Sequence, residues 1–462
     1  MRRVRRAQII IYKNAKGLDL HLCWCYTSTD KPISEKDMDT ENIKAKDPYA
    51  KSRVLYIIEA ALEYFISILV GSAYLAKLTT SIGISDGLCG VLTAFISLGS
   101  GFQIFALFLA GSRRTKRIVV PIHLINELCF TFLYVIPVID IGREAKVALF
   151  VCLLLAGQIL HNVINSPKIG WLMGLVDDDK RGSFTAKKEI VSLISGMAVS
   201  LIMGGVIDGL EAKGELRLAF IIGGITLAAL TVLHAVTLIS TRERTDTADS
   251  PRIPVTAVIK NAFADKSIRY LIPFFMLWSV ASYVTTPFYG TYQINDLGFS
   301  MTDVAILSAV YAIVRALVSM PIGRLSDKYS FAATVGGCLA LMILAYLINC
   351  FAGKIFFIIY YLLYAVAMAG INSGTINLIY DYTKKENRTG ALAIKNTICG
   401  FVGFYATLGA RPLVDMIQAN GNTFLGIEGI YAQQVLSFIG MLITSLAVVY
   451  LAVITKKLRR AR

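Results

Sequence analysis

Apolar runs of about 20 residues recur along most of this chain, each long enough to cross about 30 Å of hydrocarbon as a helix. One reads DVAILSAVYAIVRALVSM, Asp303 to Met320; another reads FAATVGGCLALMILAYLINC, Phe331 to Cys350. A soluble chain of 462 residues would alternate polar and apolar positions and carry far more charge than the 17% found here. At 55% hydrophobic residues and a mean hydropathy of +0.62, the chain reads as a multi-pass helical membrane protein embedded in a lipid bilayer.

The runs predict twelve spans, at 54–79, 88–110, 118–140, 146–170, 186–209, 217–239, 269–293, 302–322, 331–352, 354–380, 391–416 and 429–455. A net charge of +15 raises the question of nucleic acid, but the placement of the cations answers it. Arg113, Arg114, Lys116 and Arg117 gather on one side, as do Lys180, Arg181, Lys187 and Lys188, then Arg242 to Arg269, Arg324, Lys328 and Lys384 to Lys395. The opposite connections hold only Lys77, Arg143, Lys146, Lys213, Arg217 and Lys354. That bias sets both termini, including a basic tail over 456–462, in the cytoplasm of a plasma-membrane protein. It leaves no concentrated basic face for nucleic acid.

Residues 1–52 form an N-terminal extension, expected to be disordered. Its opening MRRVRRAQIIIY is basic but too short in apolar length for a signal-peptide core. Met38 could serve as an ordinary start, which puts residues 1–37 outside the mature protein. HLCWC, His21 to Cys25, lacks the second Cys/His pair that a metal site requires. The other six cysteines scatter through apolar runs and read as small hydrophobes. No metal and no cofactor is expected, and the chain is expected to be a monomer.

A polar interval, 241–268, divides six spans (53–240) from six (269–455), and the two halves align. RGSFTAKKEIVSLISGMAVSLIMGGVID, from Arg181, matches RTGALAIKNTICGFVGFYATLGARPLVD, from Arg388, with Arg, Ala, Lys, Gly and Asp in register. Ile82-Gly83-Ile84-Ser85 likewise matches Leu297-Gly298-Phe299-Ser300, and Gly111 matches Gly323. Six is even, so both halves share one orientation, and their pseudo-twofold axis runs along the membrane normal. The fold expected is therefore all-α, twelve transmembrane helices in two pseudo-symmetric six-helix bundles.

Between spans eight and nine stands PIGRLSDKYS, Pro321 to Ser330, read as a tight cytoplasmic loop. Gly323 would let the chain turn, Asp327 would cap the next helix, and Arg324 and Lys328 would hold the loop inside. Gly323, Leu325, Ser326, Asp327 and Lys328 resemble the signature loop of the major facilitator superfamily, roughly G-x-L-a-D-r-x-G-r-r. Ser330, Phe331 and Ala332 depart from it, and the loop after span two, GSRRTKRIV, lacks its Asp. The RG-x-x-x-A-x-K entry to span five and NSPKIGW, Asn165 to Trp171, are similar to the family as well. The resemblance covers about residues 50–455. It implies halves that rock around a central site, with Asp327 latching them on the cytoplasmic side through helix ends and loop arginines such as Arg181 and Arg388.

A charge at mid-bilayer costs about 2.5–3.5 kcal/mol and needs a partner or a task. Glu59 and Glu63 lie one turn apart on span one, and Arg315 lies on span eight at a similar depth. The family fold would bring those spans together, so the expectation is a Glu63–Arg315 pair, with Glu59 as substitute, near a central site. Gln103 occupies Arg315's symmetric place. Gln158, His161, Asn162 and Asn165 fall on one face of span four at i, i+3, i+4 and i+7. Span three offers His123, Asn126 and Glu127; span seven offers Tyr283, Thr286 and Tyr289; span ten offers Tyr361, Tyr364 and Asn372.

No G-x-x-x-x-G-K-[ST] motif and no sizeable soluble domain is present for ATP hydrolysis, so energy must come from a gradient. The reading is a secondary active transporter of a small polar organic solute, not an enzyme. A proton is the expected coupling ion, since Glu59, Glu63 and Glu127 are embedded. A drug-efflux antiporter of the same fold is the alternative within the class. Outside it stand a non-transporting sensor and an intramembrane prenyltransferase; the latter rests on Asp177-Asp178-Asp179, which has only Asp381 opposite it in the other half.

Overall fold

A computed structural model describes residues 47–109, 115–177, 180–244, 255–384 and 387–460. The extension up to residue 46, Arg113, Arg114, Gly111, Asp178, Asp179, Arg252 and Lys385 lie outside the described residues. Each apolar run becomes a helix because, away from water, only an intrasegment ladder satisfies the backbone N–H and C=O groups. The spans run over 50–81, 86–109, Thr115–Leu133, Arg143–Met173, Arg181–Glu211 and Leu216–Ser240, then over 266–296, Met301–Tyr329, Phe331–Asn349, Lys354–Tyr382, Arg388–Ala419 and Ala432–Arg460. Ten of them are individually long and apolar enough to cross a membrane, and the bent first span makes an eleventh. Thr115–Leu133 is the polar exception, with Lys116, Arg117, His123, Asn126 and Glu127.

The spans pack as two six-helix bundles, and the core of the first reaches Met301 and Val304 at the start of span eight. One core centres on Leu69, Leu75, Leu133, Phe150 and Leu227. The other centres on Phe274, Leu339, Tyr346, Phe357 and Leu451. The face where span one begins and span twelve ends is called proximal below, the opposite face distal. The polar interval between the bundles contains a short helix, Val255–Ala264, packed against span eleven.

At the distal face spans one and seven both break. Span one bends by 42° between Leu69 and Ser72, where Ser72 takes a φ of +44°. Span seven loosens into Thr286–Phe288, Tyr289–Thr291 and a π turn at Tyr292–Asp296. The broken halves meet across the bundles. A Cβ on Gly290 would stand 2.6 Å from the Ser72 carbonyl oxygen, so only glycine permits that approach.

Spans two and eleven cross closely through Gly101, Ser97 and Gly400. Ser97 Oγ donates to the Gly400 carbonyl at 2.9 Å, and a Cβ on Gly400 would lie 2.4 Å from the Gly101 nitrogen. Backbone on both sides cannot yield. Gly400→Ala is therefore expected to destabilise the protein by about 1–3 kcal/mol, seen as a lower melting temperature in detergent; an unchanged melting curve would refute the tight crossing.

The PIGRLSDKYS reading is corrected. Helix Met301–Tyr329 continues through Gly323, Arg324, Asp327 and Lys328, so these form its last turns and not a loop. The reversal is confined to Ser330, at φ +155°. Ser330, not Asp327, caps the next helix, its Oγ accepting from Ala333 N at 3.2 Å. Nothing between Gly323 and Tyr329 opposes a helix, and the serine supplies the N-cap that the sequence reading gave to the aspartate.

Candidate functional site

Polar side chains from spans one, three, four and six converge inside the N-terminal bundle. Lys168 of span four is 2% exposed. Its ammonium stands 2.9 Å from Glu59 Oε1 and 2.5 Å from Glu63 Oε1, bridging successive turns of span one. It also lies 3.4 Å from His123 Nε2. Lysine has only donors, so His123 accepts there. Its Nδ1 then donates to Asn126 Oδ1 at 3.2 Å, and Asn126 Nδ2 donates to the Gly157 carbonyl at 2.8 Å.

His234 of span six is fully buried and clasped between two acids. Its Nδ1 hydrogen-bonds Glu127 Oε1, and its Nε2 lies 3.3 Å from Glu59 Oε1. A neutral imidazole carries one proton, yet both nitrogens face carboxylate oxygens. Either the ring is an imidazolium or one carboxyl is protonated, so the Glu127–His234–Glu59 chain holds one proton more than a neutral histidine between two carboxylates. Charge points the same way: Glu59, Glu63 and Glu127 face a single ammonium in a low-dielectric interior, so the excess negative charge favours holding that proton.

Glu59, His123 and His234 offer atoms within 4.8 Å of one another, a spacing at which a metal could be held. The Lys168 ammonium already supplies a cation to that set.

One side of the cluster opens. A cavity of about 170 Å³ is lined by Glu63, His123, Asn126, Glu127, Gln158 and His161, together with small polar and apolar residues of spans one to four. Glu63 is 24% exposed and lies 3.7 Å from His161 Nδ1. Glu63 is thus the carboxylate between the buried cluster and the cavity.

The remaining expected residues are dispersed. Glu63 pairs with Lys168 and not with Arg315, which corrects the expected ion pair. Lys168 reaches Glu63 from within the same bundle, whereas Arg315 has no carboxylate within 4 Å among the described residues. Arg315 is half-buried beside Tyr311 of its own helix and Tyr64 of span one. Gln103 does not mirror it toward a ligand: its Oε1 accepts from Asn396 Nδ2 across the bundles at 3.0 Å. Of the span-four stripe, Gln158 and His161 line the cavity. Asn162 instead packs against Gly99, and Asn165 is half-buried. Tyr283 wedges against Gly403, and Tyr289 is buried against the Tyr360 hydroxyl. Tyr364 stacks near Tyr361 and Tyr311, and Asn372 is half-buried on the same helix. Arg181 opens span five. Arg388 opens span eleven and donates to the Tyr380 carbonyl at 2.8 Å. Arg324, Asp327 and Lys328 are exposed.

Lys168 and His234 escaped the sequence reading. Span four is expected to end at residue 170, but the helix runs on to Met173 and buries Lys168. The available signal was compositional: three of the four histidines lie within spans, and each embedded acid needs a partner.

The family model described as Major Facilitator Superfamily matches residues 56–407. No curated protein matches the sequence. Among solved structures, the nucleoside transporter NupG is similar with a TM-score of 0.66 at 14% identity, covering 88% of this chain and 99% of that one. A bacterial homolog of the human lysosomal transporter Spinster, in an inward-facing unoccupied conformation, gives 0.67 at 14% identity, covering 90% and 98%. A D-xylose–proton symporter gives 0.61 at 14% identity, covering 87% and 97%. At such identities the likeness is one of fold.

Proposed function

The chain belongs to the major facilitator superfamily and is a secondary transporter, and from that premise we propose that it moves a small polar organic solute by alternating access, coupled to protons. The observation that carries the coupling is His234 clasped between Glu59 and Glu127, with Lys168 bridging Glu59 to the cavity-facing Glu63. A proton arriving at Glu63 weakens its hold on Lys168, which keeps Glu59 as partner. Charge at the cavity wall thus changes while the buried lysine stays paired.

Arg315 supports an anionic or zwitterionic solute. An embedded guanidinium without a carboxylate partner is costly unless something anionic visits it, and only the neutral phenols of Tyr64 and Tyr311 are seen near it. Lys395, half-buried over the Phe275 ring at 5.7 Å, adds a second cation in the same bundle. The closed distal face, with Gly290 on Ser72, fits a carrier whose site opens to the proximal side. The cations Lys116, Arg117, Lys180, Lys187 and Lys188 favour that side as cytoplasmic, in a plasma-membrane monomer.

The test is a thermal-shift screen of purified protein against carboxylates, amino acids, sugars and cationic dyes, since a bound ligand raises melting. A carboxylate or amino acid is expected to raise it, and Arg315→Ala to abolish that rise. A lower melting point in Arg315→Ala with the ligand shift intact would make Arg315 structural. Flux in liposomes driven by a pH gradient tests coupling; flux indifferent to the gradient rejects it.

A further inference from the structure

The sequence repeat pairs Asp208 with Asp415, and Ser300-Met301-Thr302 with Ser85-Asp86-Gly87. These pairs meet crosswise at the distal face. Asp208, at the distal end of span five, reaches over to the start of span eight in the other bundle. Its Oδ1 accepts from Met301 N at 2.8 Å, and its Oδ2 accepts from Thr302 N at 2.8 Å and from Thr302 Oγ1 at 2.5 Å. Ser300 Oγ takes the next donor, Asp303 N, at 3.0 Å. The free N–H groups that begin span eight are thus satisfied partly by its own cap and partly by a carboxylate of the opposite bundle. Gly204, one turn before Asp208, makes room: a Cβ there would lie 3.0 Å from the Met301 carbonyl oxygen.

The mirror contact is present but altered. Asp415, at the distal end of span eleven, lies against Gly87 at the start of span two, where a Cβ would fall 2.3 Å from its Oδ1. In place of Gly204 the second copy has Arg411, whose Nε donates to Asp415 Oδ2 at 3.2 Å. Asp86, beside Gly87, accepts from Asn295 Nδ2 and Gln418 Nε2, both of the other bundle, at 2.7 Å each. The first carboxylate is therefore committed to the facing helix, while the second is shared with its own.

We propose that Asp208 and Asp415 are the positioning residues of the distal gate: each closes it by docking on a helix start of the opposite bundle, and Asp208 is the stronger of the two. The inference rests on the alternating-access reading. Separating the bundles removes a charge from two backbone donors aligned with a helix dipole, so the closed state is favoured until that dock breaks. Two unequal docks let the gate loosen at spans two and eleven before it opens at spans five and eight.

The experiment places spin labels at Asp140→Cys and Glu428→Cys, exposed distal positions of the two bundles, in a cysteine-free background of the full chain in liposomes. Distance distributions are compared for the parent, Asp208→Ala, Asp208→Asn and Asp415→Asn. Asp208→Ala is expected to raise the ratio of long to short distal distances about tenfold or more. Asp208→Asn, which keeps the shape, is expected to shift it in the same direction, and Asp415→Asn less. An unchanged distribution in folded Asp208→Asn overturns the proposal even if the alanine variant does not fold. Solute flux in the parent is measured separately: its absence rejects the carrier reading, whereas normal flux with unchanged distances rejects only the dock.

Discussion

Lys168→Met is expected to cost about 3–5 kcal/mol of stability, the loss typical when one partner of a buried ion pair is removed. The ammonium serves Glu59 and Glu63 together, at 2.9 and 2.5 Å. Without it, two carboxylates one turn apart remain in the bundle interior with only His234, His123 and His161 beside them. Detergent-purified Lys168→Met should melt several degrees lower, if it accumulates at all. The triple change Lys168→Met, Glu59→Gln, Glu63→Gln should recover most of the loss, because neutral amides need no counter-charge. Melting of Lys168→Met equal to the parent would show that the acids are already protonated without the lysine, and the charge balance argued above would be wrong.

Glu63→Gln is expected to lower pH-driven solute accumulation in liposomes at least about tenfold, the low end of what one positioned proton-transfer group is worth. Solute exchange without a gradient should persist. Glu63 is the partly exposed acid of the cluster, and the amide keeps its shape while removing its proton chemistry. Glu59 still pairs with Lys168 in this variant, so the bundle should stay folded. Full accumulation by Glu63→Gln under a pH gradient would remove the residue from coupling. Glu127→Gln gives the contrast: it changes the proton held at His234 but does not touch Lys168, so its main effect should fall on stability.

Much of this protein was legible in order. The alternation of about 20 apolar residues with short polar breaks located all twelve spans, and the Arg181 and Arg388 segments exposed the repeat. The family resemblance, carried by Gly323 to Lys328, the RG-x-x-x-A-x-K entry and NSPKIGW, agrees with the family model over residues 56–407, although Gly323 to Lys328 is helix and not loop. The site was read only in part. Glu59, Glu63, Glu127, His123 and His161 were named as embedded polar groups, but Lys168 and His234 were not, because they come from spans distant in sequence. Glu63 lay at the same depth as Arg315, and depth alone does not choose between a cation across the bundles and one inside the same bundle.

The chain by itself determined that it must be helical, membrane-crossing and built twice, because in hydrocarbon the backbone has no partner but itself and length fixes the spans. Only tertiary packing decided which charges share a space. Helix rotation and tilt bring Lys168 between two acids, His234 between two more oxygens, and Asp208 onto the start of span eight. Each of these contacts depends on angles set by neighbouring helices, which hydropathy along a single span does not encode.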